Sequence, residues 1–268
     1  MKPEPVSPAR FQKVLATTQA RTEKAVRACI KRPTPEAIHE ARIAVRKLAT
    51  AVSLMPKGFR RDGKTVKTMK ALRLFYTACA KIRDIDSMMN ALSTLGDLKD
   101  VIADLKESRS VLLARVRSSG DEMGRLAFPR PTDDAGRRLR KRLNKLLDGR
   151  TKRASDTYWI VADGEERVAE LHTLRKECRH IMYLLDFAKE DSRVKSAKMD
   201  LEDAREKLGS MRDDDLLLDV LRGHEENAAV EAAAAMAAAR LVKYKQFFSS
   251  QTAHGKRPRL LESILSLA

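Results

Sequence analysis

The sequence predicts an all-α protein: two four-helix bundles related by a pseudo-two-fold axis, with a basic central cleft. Three observations carry that expectation. Almost every segment repeats its apolar residues at the helical period, and none alternates convincingly like a strand. One cationic helix face is spelled twice, about half a chain apart. Each copy is followed, at a similar distance, by an Arg-Asp element.

The elements follow in order. Residues 8–31 read as a first amphipathic helix. Thr34-Pro35-Glu36 then supplies a capping hydroxyl, a proline at the first helical position and a first-turn acid for a helix over 35–55. Pro56 and Gly58 end it. Helices over 62–82, 85–94 and 97–125 complete the first repeat, about 8–125. The stretch Gly124 to Pro131, with breakers Pro129 and Pro131, separates the halves. The second repeat, about 133–250, holds helices over 133–148, 164–188, 191–208, 213–222 and 225–250. Asp163-Gly164-Glu165-Glu166 offers an Asp cap with Glu at the third helical position for the second of these. Residues 251–268 read as a tail or a short helix.

The duplicated face is His39, Arg42, Arg46 and Lys47 in the first half, and His172, Arg175, Arg179 and His180 in the second, where Lys176 adds a further cation. Spacings of i, i+3 and i+7 put the His and both Arg within an arc of about 60°. Opposite them runs an apolar stripe: Ala41, Val45, Leu48, Val52 and Met55, matched at identical offsets by Leu174, Cys178, Ile181, Leu185 and Ala188. Such a helix buries one side and presents cations on the other. The later echo is Arg83-Asp84-Ile85-Asp86 and Arg212-Asp213-Asp214-Asp215. The expected unit is therefore a cationic helix, a second helix ending near the Arg-Asp element, a short third and a long fourth. Arg83 and Arg212 extend the cationic surface. Asp84 and Asp213 support it, whereas Asp86 and Asp215 either orient a basic side chain or cap the following helix.

The chemistry suits an anion. Guanidinium groups stay charged and pair bidentately with phosphate oxygens. Tyr183 lies on the same face as His172 and is able either to donate its hydroxyl to the anion or to pack. Neighbouring Arg residues should hold the histidines neutral in the empty protein, so anion binding should draw in protons as the pH falls. A solvated face, or salt bridges joining the halves, is the structural alternative.

Composition bounds the partner. The chain of 268 residues carries 54 Lys and Arg against 37 Asp and Glu, a net charge of +17. Polyanions of any kind are attracted to such a field. Aromatics are 4 %, with Trp159 the single Trp, which disfavours single-stranded nucleic acid. Cys29, Cys79 and Cys178 form no CxxC, and the two later ones fall in amphipathic runs as small apolar residues, consistent with a reducing cytoplasm. The Ala-rich stretch Ala228 to Ala239 is too short to span a bilayer, so no membrane association is expected. His39, His172, His180, His224 and His254 make no metal motif, and no glycine-rich phosphate loop appears, so neither a metal, a cofactor nor a catalytic residue is expected.

The His-x-x-Arg-x-x-x-Arg element in two helical halves, each followed by Arg-Asp, resembles the CHAD domain (conserved histidine α-helical domain). His172 to Tyr183 is the closest stretch, and the resemblance covers roughly residues 8–250 as a single domain of two repeats. It implies two four-helix bundles whose basic residues line a central cavity, binding of inorganic polyphosphate, and association with polyphosphate granules. Carried over by motif, the site is His39, Arg42, Arg46, Lys47 and Arg83 with His172, Arg175, Arg179 and Arg212. Ala51 to Met55 hold fewer basic residues than family members often show there. Non-specific nucleic-acid binding is the alternative from the same charge, and histidine phosphotransfer a further one.

Overall fold

The computed structural model describes residues 2–93, 98–118, 138–164, 167–224, 227–251 and 257–267. Glu165 and Glu166 of the expected Asp163 capping box, the linker prolines 129 and 131, the first residues of the 133–148 helix and His254 lie outside them. The described residues are all-α, apart from an isolated bridge between Pro5 and Ala188. No helix among them is long and apolar enough to cross a membrane.

The chain forms two compact units, Ser7–Leu139 and a second made of Met1–Val6 with Arg140–Ala268. In the unit Ser7–Leu139 the helices are α1 (Pro8–Lys31), α2 (Pro35–Ser53), α3 (Lys57–Arg61), α4 (Gly63–Leu92) and α5 (Lys99–Ser118). Ser7 caps α1, and Thr34 caps α2 through its hydroxyl. Helix α1 packs on α2, α2 on α4, α4 on α5, and α5 returns to α1, a four-helix arrangement. The buried Thr22 hydroxyl donates to the carbonyls of Thr18 and Ala44, tying α1 to α2. The Sγ atoms of Cys29 and Cys79 meet at 4.0 Å in the core as free thiols.

The other unit holds α6 (Leu139–Ala162), α7 (Val168–Leu185), α8 (Ser192–Leu221), α9 (Asn227–Gln251) and α10 (Arg259–Leu265). Glu177 on α7, buried, accepts from Arg150 Nη1 at 2.8 Å and Arg153 Nε at 3.2 Å on α6. Tyr244 on α9 donates to the Val161 carbonyl at 2.6 Å. The N-terminal residues join this unit: Val6 N–H donates to the Phe187 carbonyl at 3.0 Å, and Glu4 pairs with Lys189 at 2.9 Å.

Both expected apolar stripes are buried along their whole length, Ala41 to Met55 and Leu174 to Ala188. The duplication extends further. Helices α4 and α8 each run 30 residues from an Asp cap, Asp62 and Asp191. Their buried positions keep one register, with Leu72, Cys79, Ile82 and Leu92 matched by Leu201, Leu208, Met211 and Leu221.

Several expected boundaries are corrected. The two helices expected over 62–82 and 85–94 are replaced by one, α4 (Gly63–Leu92), and those over 191–208 and 213–222 by α8 (Ser192–Leu221). No Pro or Gly interrupts Gly63–Leu92 beyond its first residue, and Ile82, Ile85 and Met88 carry the buried stripe straight through the Arg-Asp element. Asp84, Asp86, Asp213 and Asp215 are therefore helix-interior residues, not caps. Helix α6 passes Gly149 and continues to Ala162 because Thr151, Ala154 and Tyr158 extend its buried face. Helix α7 starts at Val168, after Arg167, which makes no side-chain cap, so Asp163 does not cap it. Among the described residues, the cationic helix is thus the second of four long helices in each unit, preceded by α1 or α6.

Candidate functional site

Each unit carries its own basic surface, built from its cationic helix and the 30-residue helix packed on it. In the unit Ser7–Leu139, α2 supplies His39, Arg42 and Arg46, and α4 supplies Arg83. These side chains share one electrostatic environment. The His39 pKa is lowered by partial desolvation of its ring, then by Arg83, Arg42 and Arg46, with Glu40 opposing. Arg83 also stabilises the Glu36 carboxylate at the start of α2, after that group's hydrogen bonds to its own backbone and to Thr34. Lys47 is exposed and lies to one side of this row.

Arg42 lies half-buried with its guanidinium carbon 5.9 Å from the Tyr76 ring centroid. Burial lowers its pKa, and the Tyr76 and Asp84 side chains oppose that shift. Asp84 is thus close enough to act on Arg42 of the cationic row. Tyr76, projecting from α4, has no counterpart in the motif, so spacing alone gave no reason to single it out.

In the other unit, α7 supplies His172, Arg175, Lys176 and Arg179, and α8 supplies Arg212. Burial, then Lys176, Arg212, Arg175 and Arg179, hold the His172 pKa down to about 4. Its Nδ1 is buried and makes no hydrogen bond to the described residues. Desolvation leads the causes at both histidines, ahead of the arginines that the sequence suggested as the main influence. The Arg175 guanidinium lies against Gly209 of α8: a Cβ there would stand 3.5 Å from its Nε, in ordinary van der Waals contact.

Tyr183 stands beside Arg205, whose pKa is raised mainly by its hydrogen bond to Glu202, with Tyr183 among the smaller contributors. It thus adjoins a mixed ion-pair cluster on α8 of both signs. Asp213 is exposed, while its neighbours are not. Asp214 takes Lys243 Nζ at 2.6 Å and Asp215 takes Arg240 Nε at 2.8 Å. Asp86 takes Arg109 Nε at 2.6 Å in the same way. The matched pairs Asp86–Arg109 and Asp215–Arg240 settle the two alternatives for these carboxylates. They orient basic side chains from the following helix. Sequence reasoning missed Arg109 and Arg240, although their separations from the aspartates, 23 and 25 residues, are nearly equal.

What the two surfaces share is a histidine whose pKa is lowered by burial and by cations from two packed helices. An anion entering such a place gains several charge-assisted hydrogen bonds and relieves repulsion among its hosts.

The CHAD domain family model matches residues 9–222. The fold is similar to the crystal structure of the CHAD domain from the plant Ricinus communis, at 16 % identity and a TM-score of 0.56, covering 99 % of this chain and 92 % of that one. It is also similar to PptA from Streptomyces chartreusis, at 17 % identity and a TM-score of 0.53, covering 91 % and 96 %. At these identities the likeness is one of fold. No curated protein matches the sequence.

Proposed function

The chain belongs to the CHAD domain family, and from that premise we propose that its cationic surfaces bind inorganic polyphosphate and associate the protein with polyphosphate granules in the cytoplasm. One observation carries the reading: Arg175, Lys176 and Arg179 of α7 and Arg212 of α8 all act on His172, so cations from two helices meet around one ring. Five basic groups brought together in this way favour a ligand with closely repeated negative charges. The unit Ser7–Leu139 offers the parallel set His39, Arg42, Arg46 and Arg83, with Lys47 at its margin. Asp84 tempers this set, and the Asp–Arg pairs hold the helices that present both. The role is binding rather than turnover, with no catalytic residue and no metal or other cofactor.

The test is competition at physiological salt between polyphosphate and duplex DNA or RNA at equal charge concentration. Polyphosphate held against an excess of nucleic acid supports the reading. Displacement at comparable charge reduces the surface to a non-specific polyanion binder. A stable phosphohistidine at His39 or His172 after treatment with acetyl phosphate would point to phosphotransfer instead.

A further inference from the structure

The duplication allows one unit to be read against the other, position by position. Helices α1 and α6 correspond through buried residues in constant register: Phe11, Leu15, Val26 and Cys29 match Leu143, Leu147, Tyr158 and Val161. Helices α2 and α7 correspond likewise, with Ile38, Ala41, Val45 and Leu48 matching Leu171, Leu174, Cys178 and Ile181. In that register Glu177 of α7 falls on Ala44 of α2. Its partners Arg150 and Arg153 of α6 fall on Thr18 and Arg21 of α1.

At the α6–α7 seam, Glu177 is a buried carboxylate gripped by two arginines. At the α1–α2 seam the carboxylate is missing, and a cavity of about 430 Å³ lies in its place. Thr18, Arg21 and Ala44 line it, so Arg21 keeps the place that Arg153 has beside Glu177. Lys24 and Lys47 add two further cations to its lining, against the single acid Glu40. Ile43 and Ala28 give it an aliphatic wall. The volume falls in the range of small-molecule sites, and a carboxylate group alone would leave most of it empty.

We infer that the α1–α2 seam is a second anion site, one that takes a short aliphatic dicarboxylate. One carboxylate occupies the position that Glu177 fills in the twin seam and pairs with Arg21. The aliphatic chain lies on the Ile43 wall, and the second carboxylate meets Lys24 and Lys47. Planar pairing with a guanidinium explains why a carboxylate suits Arg21. The flanking ammonium groups accept a second anion without demanding one geometry. This site adjoins the His39 row without coinciding with it: Ala44 lies well round α2 from His39, while Ile43, four residues from His39, and Lys47 border both.

Glutarate, whose end reproduces a glutamate side chain, is the probe, titrated into the full chain by calorimetry. Saturable binding is expected, with affinity lowered about tenfold in Arg21→Ala, the scale of one lost charge-assisted hydrogen bond. Ala44→Glu supplies the carboxylate internally and should abolish the glutarate signal while leaving the chain folded by circular dichroism. In Arg21→Ala the affinity for triphosphate should stay within about a factor of two, because the exposed charge is screened. Absence of glutarate binding to the unmodified chain overturns the proposal. So does binding that survives Arg21→Ala unchanged, or that saturating triphosphate eliminates. Should Ala44→Glu fail to fold, the Arg21 and triphosphate arms still decide.

Discussion

Asp215 accepts a hydrogen bond from Arg240 Nε at 2.8 Å, three residues beyond Arg212, and both side chains are less than a tenth exposed. Asp86 and Arg109 repeat the relationship at 2.6 Å, three residues beyond Arg83, but Arg109 is 22 % exposed. Burial raises the Asp215 pKa against the pull of Arg240, which marks its ionised form as costly inside the unit. Removing one partner strands the other. Arg240→Ala should therefore cost about 3 kcal/mol, and Arg109→Ala clearly less because water reaches that pair. Replacing both members, Asp215→Leu with Arg240→Leu, should recover most of the loss. Urea unfolding followed by circular dichroism measures all of these, and equal losses for the two arginines would contradict the burial argument.

These pairs mark the limit of what periodicity makes legible. The apolar stripes from Ala41 to Met55 and from Leu174 to Ala188 were readable because burial repeats every three or four residues, and each of those residues is buried. The Arg-Asp elements were misplaced at helix starts because Asp suits a helix N-terminus. Ile82 and Ile85 show why the helix continues there: their burial holds the turn whatever the local preference. Arg109 and Arg240 reach their aspartates across a helix–helix contact, a relationship that no helical spacing encodes. The cationic rows, by contrast, could be placed on one face from spacing alone. Tyr76 beneath Arg42 and Gly209 beneath Arg175 could not, since each belongs to a different helix from the side chain it serves.

Gly209 separates helix stability from site geometry. Its added Cβ would stand 3.5 Å from Arg175 Nε and Nη2, ordinary van der Waals contact. Gly209→Ala should thus stabilise α8 by up to about 1 kcal/mol through helix propensity, with triphosphate affinity unchanged. Gly209→Leu fills the space in which Arg175 lies, and should weaken triphosphate binding about tenfold while the helix content is kept. Thermal melts and calorimetric titration of the two variants give the comparison. Equal affinities for Ala and Leu would mean that Arg175 has no part in binding.

Tyr76 makes a complementary case in the unit Ser7–Leu139. Its ring lies under Arg42, and a cation over an aromatic face gains about 0.5–1 kcal/mol at a partly exposed position. Tyr76→Leu removes that support without removing any charge, and should weaken triphosphate binding about threefold. Tyr76→Phe keeps the ring and should retain most of the affinity. If Phe and Leu weaken binding alike, the hydroxyl rather than the ring orients Arg42.

His172 ties binding to pH. In the unfolded chain its pKa is near 6.5, and in the folded chain it is held down to about 4 by burial and the four flanking cations. The folded protein therefore binds fewer protons than the unfolded chain between those values. Stability contributed by this group is complete above about pH 6.5 and is lost as the pH falls toward 4. An anion bound among Lys176, Arg212, Arg175 and Arg179 offsets those charges and lifts the histidine pKa. Triphosphate binding should then take up protons, and its affinity should rise as the pH falls from about 6.5 through the histidine range. Calorimetry in two buffers of different ionisation enthalpy counts the protons directly. The uptake should fall in His172→Gln, which retains a hydrogen-bonding side chain and cannot titrate. The same uptake in His172→Gln as in the unmodified chain would assign the coupling to another group.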